Sequence, residues 1–432
     1  MNTIPVTLDN GTQVLLYSSS IMKDEVGVTK KKSTPKKTFK YVPWYDDSGN
    51  MEPANILNVI TENNISPEIL NTKAKFIIGK GIRYYITEIK DGKEKKLLIK
   101  DAEIDQFLKR SNIFETLDNS AKDAQYFGNG FIEVIKKMNG IHSISHIDAT
   151  ISRAEEAEGG IIPAYFLCGN WAKPKYVEGD DNMEEGNVIR VEAFPFDEDW
   201  NYDEAYLDSI PAKSIYHFKE YTPGYPYYSL PSWYGTMKWI KLANAIPEWH
   251  LSGMTNGYAI RYIIEVNERY FARFTDQEQI QSAKAKLEED LKTCLAGKDN
   301  AGKSIYTVMP DEQYREKGLI RITPIQTHLH DEAFTVLFDH SNTATTSGFA
   351  IDPTLCGIET QGKMSSGSEK REAYDIWLKL HANRQRAKFT KLMDAISAIN
   401  GWVKRYPTLE WGFENVELTT LDVTPTGTQN VI

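Results

Sequence analysis

The chain has 432 residues, room for about three domain-sized units, with 41% hydrophobic and 25% charged residues and a net charge of −10 at pH 7. That balance argues against tight nonspecific binding of nucleic acid by the surface as a whole, and no run approaches the ~20 apolar residues of a membrane span. Cys168, Cys294 and Cys356 share no C-x-x-C spacing, so neither a zinc site nor a disulfide framework is expected, and each thiol reads as buried or idle.

Met1 to Asn10 is neither basic nor followed by an apolar core, so no signal peptide is predicted and an intracellular protein is expected. Residues 1–50 read as a polar arm carrying Lys30, Lys31, Lys32, Lys36, Lys37 and Lys40. Residues 51–72 predict helix interrupted by Pro67. Gly81–Glu88 and Lys95–Lys100 predict a hairpin across Asp91-Gly92. Asp101 is placed to cap a helical stretch whose apolar face continues through Phe114, Leu117, Ala121, Ala124 and Phe127. Gly128-Asn129-Gly130 ends it, and short strands follow at Phe131–Ile135, Ile144–Ile151, Ala164–Gly169 and Ser214–Phe218. Between them, residues 155–208 hold an acidic excess, including Glu155, Glu156, Asp180 and Asp181, read as a solvated face.

The character changes at Tyr221-Thr-Pro-Gly-Tyr-Pro-Tyr-Tyr228, a proline-rich aromatic linker. Tyr227, Tyr228, Trp233 and Tyr234 could stack on bases, but no basic residue interleaves them, so anchors in a subunit interface fit better. A long helix is predicted from about Trp233 to Asn256, kinked at Pro247. Residues 258–325 then read as a compact unit of strand, helix, polar turn and two strands, followed by a second long helix over 327–350. Residues 351–368 form a loop punctuated by glycine and proline, and a last helix runs to Ile399, its stripe including Ile376, Trp377 and Leu380.

One motif names a ligand. Gly297-Lys298-Asp299-Asn300-Ala301-Gly302-Lys303-Ser304 fits G-x-x-x-x-G-K-[ST], the phosphate loop. The chemistry needs a strand before the loop and a helix N-terminus after it. Here Thr275 and Glu278 form a capping box opening a helix before it, Gly297 suits that helix's end, and Ser304–Pro310 reads as a strand. The order is reversed, so a polar turn is the plainer reading. The alternative is a packaging-motor-like ATPase with Lys303 on the phosphates and Ser304 on magnesium. His328 and His330 lie two apart, on different faces of a helix, so metal binding is not expected. Ser365-Ser366-Gly367-Ser368 has no partnered base, and no acid–base constellation emerges.

Taken in order, these pieces resemble a portal protein of the tailed double-stranded DNA phages, most strongly from Gly128 to Ile399. Gly128-Asn129-Gly130-Phe131-Ile132 resembles the family's wing segment. Ala212–Phe218, the aromatic linker and Trp233-Tyr234-Gly235 resemble its run into the first stem helix. Asn256-Gly257 is similar to the stem-to-clip junction, Asn300-Ala301-Gly302-Lys303 to a clip turn, and Phe349-Ala-Ile-Asp-Pro353 with Gly357 to the tunnel-loop region. The acidic stretch at 176–208 is longer than the family pattern, and the N-terminal arm has no counterpart in it.

The resemblance implies an α+β fold: arm 1–50, wing 51–225, first stem helix 226–257, clip 258–325, second stem helix 326–350, tunnel loop 351–368, and C-terminal helix and wing/crown tail 369–432. It implies a non-enzymatic ring, usually of twelve subunits, at one capsid vertex of a virion assembled in the host cytoplasm. Double-stranded DNA passes through its channel. The clip docks the terminase large subunit and then head-completion or adaptor proteins, and the ring sits against the major capsid protein, with no cofactor, metal or membrane. Gln361, Lys363 and Ser365 would touch DNA, and Asn300, Gly302 and Lys303 would sit at the docking turn. A helix of about 24 residues spans roughly 36 Å, enough to line a channel wall. Twelve copies would carry about −120, a charge that repels rather than grips a polyanion.

Overall fold

The computed structural model describes residues 3–7, 13–17, 41–44, 49–90, 93–138, 140–174, 188–197, 200, 202, 204–256, 260–272, 274, 276–295, 303–309, 320–324, 331–357 and 367–416. The chain divides into a smaller compact unit, 1–37 with 245–336, and a larger one, 38–244 with 337–432.

In the smaller unit, β1 (Thr3–Thr7) and β2 (Gln13–Tyr17) pair antiparallel, so part of the expected arm is a hairpin. In the larger unit, Pro53 and Pro67 sit in the first turns of α1 (Glu52–Thr61) and α2 (Ser66–Ile78), where a missing N–H costs little. Pro67 therefore starts a second helix rather than interrupting one. β3 (Ile82–Lys90) and β4 (Lys93–Leu98) form the predicted hairpin, and Asp101 caps α3 (Ala102–Arg110), accepting from the N–H groups of Glu103 and Ile104. A break at Ser111–Asn112 separates α3 from α4 (Ile113–Phe127). Leu117, Ala121, Ala124 and Phe127 are buried as expected, but Phe114, before them, is 52% exposed.

The central sheet takes β5 (Asn129–Lys137), β6 (Gly140–Ile147), β7 (Ser152–Ala154), β8 (Ala164–Cys168) and β9 (Val188–Ala193). After the short α5 (Glu204–Ser209) comes β10 (Lys213–Lys219), and the order across the sheet is β6-β5-β10-β9-β8-β7. Only β10 and β9 run parallel. α4 lies on β5 and β6. The reading of residues 1–50 as an arm also fails at its end. Tyr41 bridges to Glu155, Trp44 is fully buried, and Arg153, itself buried, lies over the rings of Trp44 and Trp171 while its Nε donates to Asn50 Oδ1 at 2.5 Å. Glu155, expected on a solvated acidic face, is buried and accepts from Arg190 Nη2 at 2.7 Å.

Two long helices, α6 (Met237–Asn256, containing Pro247) and α8 (Asp331–Gly348), contain the unit boundaries. Between them β11 (Ile260–Asn267) pairs parallel with β12 (Lys303–Met309) and antiparallel with β13 (Ile320–Pro324). A parallel pair needs a crossover, which α7 (Gln277–Leu295) supplies. Its Ile280, Ala283 and Leu287 cover Ile264, Val266 and Phe271. Within this smaller unit Trp249 of α6 stacks on Phe334 of α8, with centroids 4.3 Å apart.

The last helix is not one smooth rod. α9 (Gly367–Trp377) passes through a π-helical stretch, Leu378–Ala382, into α10 (Asn383–Ile399). The wider turns shift the apolar stripe, so Trp377 and Leu378 are buried while Ile376 and Leu380, expected within it, are 57% and 62% exposed. After α11 (Trp402–Arg405), β14 (Leu409–Phe413) pairs antiparallel with β3.

Candidate functional site

The expected DNA-touching residues Gln361, Lys363 and Ser365 lie outside the described residues, as does all of 358–366. Both flanks of that segment rest on α2. On the leading side α8 ends at Gly348. Phe349 is fully buried, with its ring 5.4 Å from that of Trp233, and its carbonyl accepts from Lys73 Nζ at 3.1 Å. A cation at a helix C-terminus meets carbonyls that have no intrahelical partner. Burial pulls Lys73 down to about 8, against the opposing pull of Glu220 and Cys356. Asp352 then accepts from the backbone N–H and the hydroxyl of Thr354 at 2.9 and 2.6 Å, capping the 3-10 turn Pro353–Cys356.

On the trailing side, Tyr374 and Trp377 of α9 meet Phe76 edge-on at 4.8 and 5.7 Å. Arg386 of α10 donates to the Ile77 carbonyl at 2.7 Å, the Phe76 carbonyl at 3.1 Å and Asn415 Oδ1 at 2.7 Å. One helix thus supplies a lysine latch to the leading flank and is itself capped by an arginine from the trailing one. Neither residue is marked in the sequence; Arg386 is a basic residue within a helix, and only its burial distinguishes it. Cys356, beside this latch, is held protonated by burial, which pushes its thiol up to about 11; Cys168 is buried and also shifted upward.

Where α6 begins, two of the four expected interface anchors, Tyr228 and Trp233, are instead core residues tied into a polar network. Tyr228 is 3% exposed and Trp233 1% exposed; both point inward. Tyr228 stacks on Trp44 at 4.4 Å and donates to the Val42 carbonyl at 2.6 Å, while Trp233 Nε1 donates to the Gln125 carbonyl at 2.8 Å. Tyr227 accepts from the N–H of Ala157, and Tyr234 donates to Glu52. The correction has a simple cause: an aromatic run without basic residues is equally suited to the core of its own subunit. Asn129 Nδ2 donates to the carbonyls of Phe127 and Ser229, and its Oδ1 accepts from the N–H of Ser229 at 3.0 Å. The same Oδ1 lies 3.1 Å from His217 Nε2, which therefore carries the proton. The site residue sequence reasoning passed over is Asn129, although the Gly-Asn-Gly context drew attention to its position.

In the smaller unit, Asn300 and Gly302 lie outside the described residues, and Lys303 opens β12, opposite Ile260 of β11. Lys303 and Ser304 are strand residues that follow α7. A phosphate loop requires them at the start of a helix, so the ATPase alternative is set aside. His328 and His330 are also outside the described residues. Among the described residues no group of three His, Cys, Asp or Glu could hold a metal ion, and no helix is long and apolar enough to cross a membrane.

No protein-family model matches the sequence, and no curated protein does. The structure matches a chain in the neck of an empty gene transfer agent particle computed with C6 symmetry, at a TM-score of 0.54 and 14% identity, covering 88% of this chain and 87% of that one. The chain shares that neck fold. The native neck computed with C12 symmetry gives 0.53 and 14% identity, covering 87% and 85% of the two chains. A crystal structure of an HK97-family phage portal protein from Corynebacterium diphtheriae gives 0.40 and 8% identity over 84% and 94%, too loose a superposition to bear on the fold. The likeness covers most of the chain, and the architecture is the mixed helix and sheet expected from the sequence.

Proposed function

We propose that the chain is a portal subunit, a non-enzymatic component of a closed ring at one capsid vertex of a virion, through which double-stranded DNA is packaged and ejected. The observation that carries this reading is the fold shared along 88% of the chain with a neck chain computed with C6 symmetry. It is supported by the order of the portal-like segments from Gly128 to Ile399. In this reading residues 51–225 form the wing, α6 and α8 the stem, 258–325 the clip and 351–368 the tunnel loop, with 369–432 returning to the wing and crown. Asn300 and Gly302, with Lys303 at the start of β12, dock the terminase large subunit and later the head-completion proteins. Gln361, Lys363 and Ser365 face the DNA, and the major capsid protein surrounds the ring.

Negative-stain images and mass photometry of the full chain test the central claim. The expected result is closed rings of about twelve subunits with a central hole of duplex width. A monomer that persists over the whole accessible concentration range sinks it. For the docking turn, Lys303→Glu is expected to leave rings intact while abolishing capture of the packaging ATPase.

A further inference from the structure

Away from the flanks of 358–366, a cleft of about 590 Å³ opens in the larger unit between the β5–β6 turn, the end of α3 and the start of α11. Arg110, Lys137 and His142 line it and converge. Lys137 Nζ lies 3.1 Å from His142 Nε2, and Arg110 Nε donates to the His142 carbonyl at 3.2 Å. Among the described residues no carboxylate comes within 4.0 Å of any of the three. The carboxylate that does line the cleft, Glu103, is committed to Arg405 Nη2 at 2.8 Å. Crowding like charges without a counter-ion is unfavourable: desolvation, with Lys137 and Arg110 adding to it, pulls His142 below its ordinary range.

The chain nevertheless holds the three together. Asn400 Oδ1 accepts from the N–H of Ile141 at 2.7 Å, and its Nδ2 donates to the Ile141 carbonyl at 3.0 Å. A Cβ on Gly140, whose φ is +121°, would lie 2.4 Å from that same Oδ1. The hairpin is therefore clamped with glycine at the contact. Trp402, fully buried and lining the cleft, has an Nε1–H without an acceptor among the described residues.

We propose that this cleft binds a phosphate group. Donors arriving from α3, β5 and β6 suit an anion with several terminal oxygens better than a flat carboxylate, which is satisfied by one bidentate partner. The volume exceeds that of a bare ion and falls within the range of small-ligand sites. Met138, which lines the cleft and is fully exposed, offers an apolar surface for whatever the phosphate is attached to. A free nucleotide and the phosphodiester backbone of DNA present the same chemistry. The proposal does not depend on the portal reading.

Calorimetric titration of the full chain with inorganic phosphate, AMP and a short single-stranded DNA tests it. Saturable binding of at least one is expected, weakening as salt rises and falling by about tenfold or more in both Arg110→Gln and Lys137→Gln. Lys75→Gln, removing an exposed lysine that does not line the cleft, is the control and should change nothing. Tighter binding of AMP than of DNA assigns the site to a nucleotide, and the reverse assigns it to a backbone. The proposal is overturned by no binding of any of the three, by binding that survives both glutamine variants, or by a preference for a polyglutamate peptide over all three phosphate probes.

Discussion

His217 lies opposite Phe131 across the β10–β5 pair, its ring stacked at 4.3 Å, with Nε2 against Asn129 Oδ1. The groups packed around the ring keep solvent from its nitrogens, and this desolvation, helped by Lys219, pulls its pKa down to about 3. The folded chain keeps this histidine neutral while the unfolded chain protonates it near 6.5, so between those values the unfolded state binds the extra proton. The stabilisation is present above pH 6.5 and is lost as pH falls toward 3. Between pH 7 and pH 5 urea unfolding is expected to show a loss of about 2 kcal/mol from this group. His217→Gln keeps a donor for Asn129 and should flatten that part of the slope. The sequence displayed the histidine inside a strand but could not reveal its environment, because burial depends on a pairing with residues some eighty positions earlier. The same limit hid Lys73, Asn129 and Arg153, whereas Asp101 was legible because an N-cap is a local arrangement.

At the scale of elements, α2 is the hub that fixes both flanks of 358–366. Arg386 is 8% exposed and satisfies two carbonyls at the end of α2. Arg386→Met preserves bulk but strands those carbonyls, and a loss of about 3 kcal/mol is expected in chemical unfolding. The start of α6 and the end of α8 meet just as closely within the larger unit. A Cβ on Gly348 would lie 1.8 Å from Thr236 Oγ1. Gly348→Ala is expected to cost about 1–3 kcal/mol by overpacking. Adding Thr236→Ala should recover part of it, and a strictly additive pair of melting-point changes would refute the contact. β1, β2, β9 and α5 lie in stretches read as an arm and an acidic face, whereas the longer helices and the β3–β4 hairpin were readable from periodicity and caps. The π-helical stretch at Leu378–Ala382 was not, since nothing in the 3.6-residue pattern announces wider turns, and so Ile376 and Leu380 were assigned to the wrong face.

At the scale of the whole molecule, the proposed ring has an electrostatic consequence. Each copy carries −10, so a ring brings like-charged subunits together, and screening should favour it. Mass photometry is expected to find rings at lower protein concentration in 0.5 M salt than in 0.05 M salt; the opposite trend would mean that attractive ion pairs hold the interfaces. The reversed order around Gly297–Ser304 was visible in the sequence and counted against a phosphate loop, which is defined by what precedes and follows it; α7 before β12 then removed the alternative. The neck fold could be anticipated only through the order of several weak segments, since at 14% identity no single residue carries the likeness.

The pairing of β14 with β3 also has a kinetic side. Arg83 and Glu414, which meet across it, are 331 positions apart in sequence. At ribosomal speeds of about 5–20 residues per second, β3 emerges roughly 15–65 seconds before its second neighbour. Throughout that interval the β3–β4 hairpin presents an open backbone edge on the side β14 will occupy. The outer strand of the hairpin, with Lys95 and Lys96 exposed, discourages pairing on its own side only. A hairpin that forms as soon as it emerges would therefore keep one backbone edge open to other strands until β14 arrives.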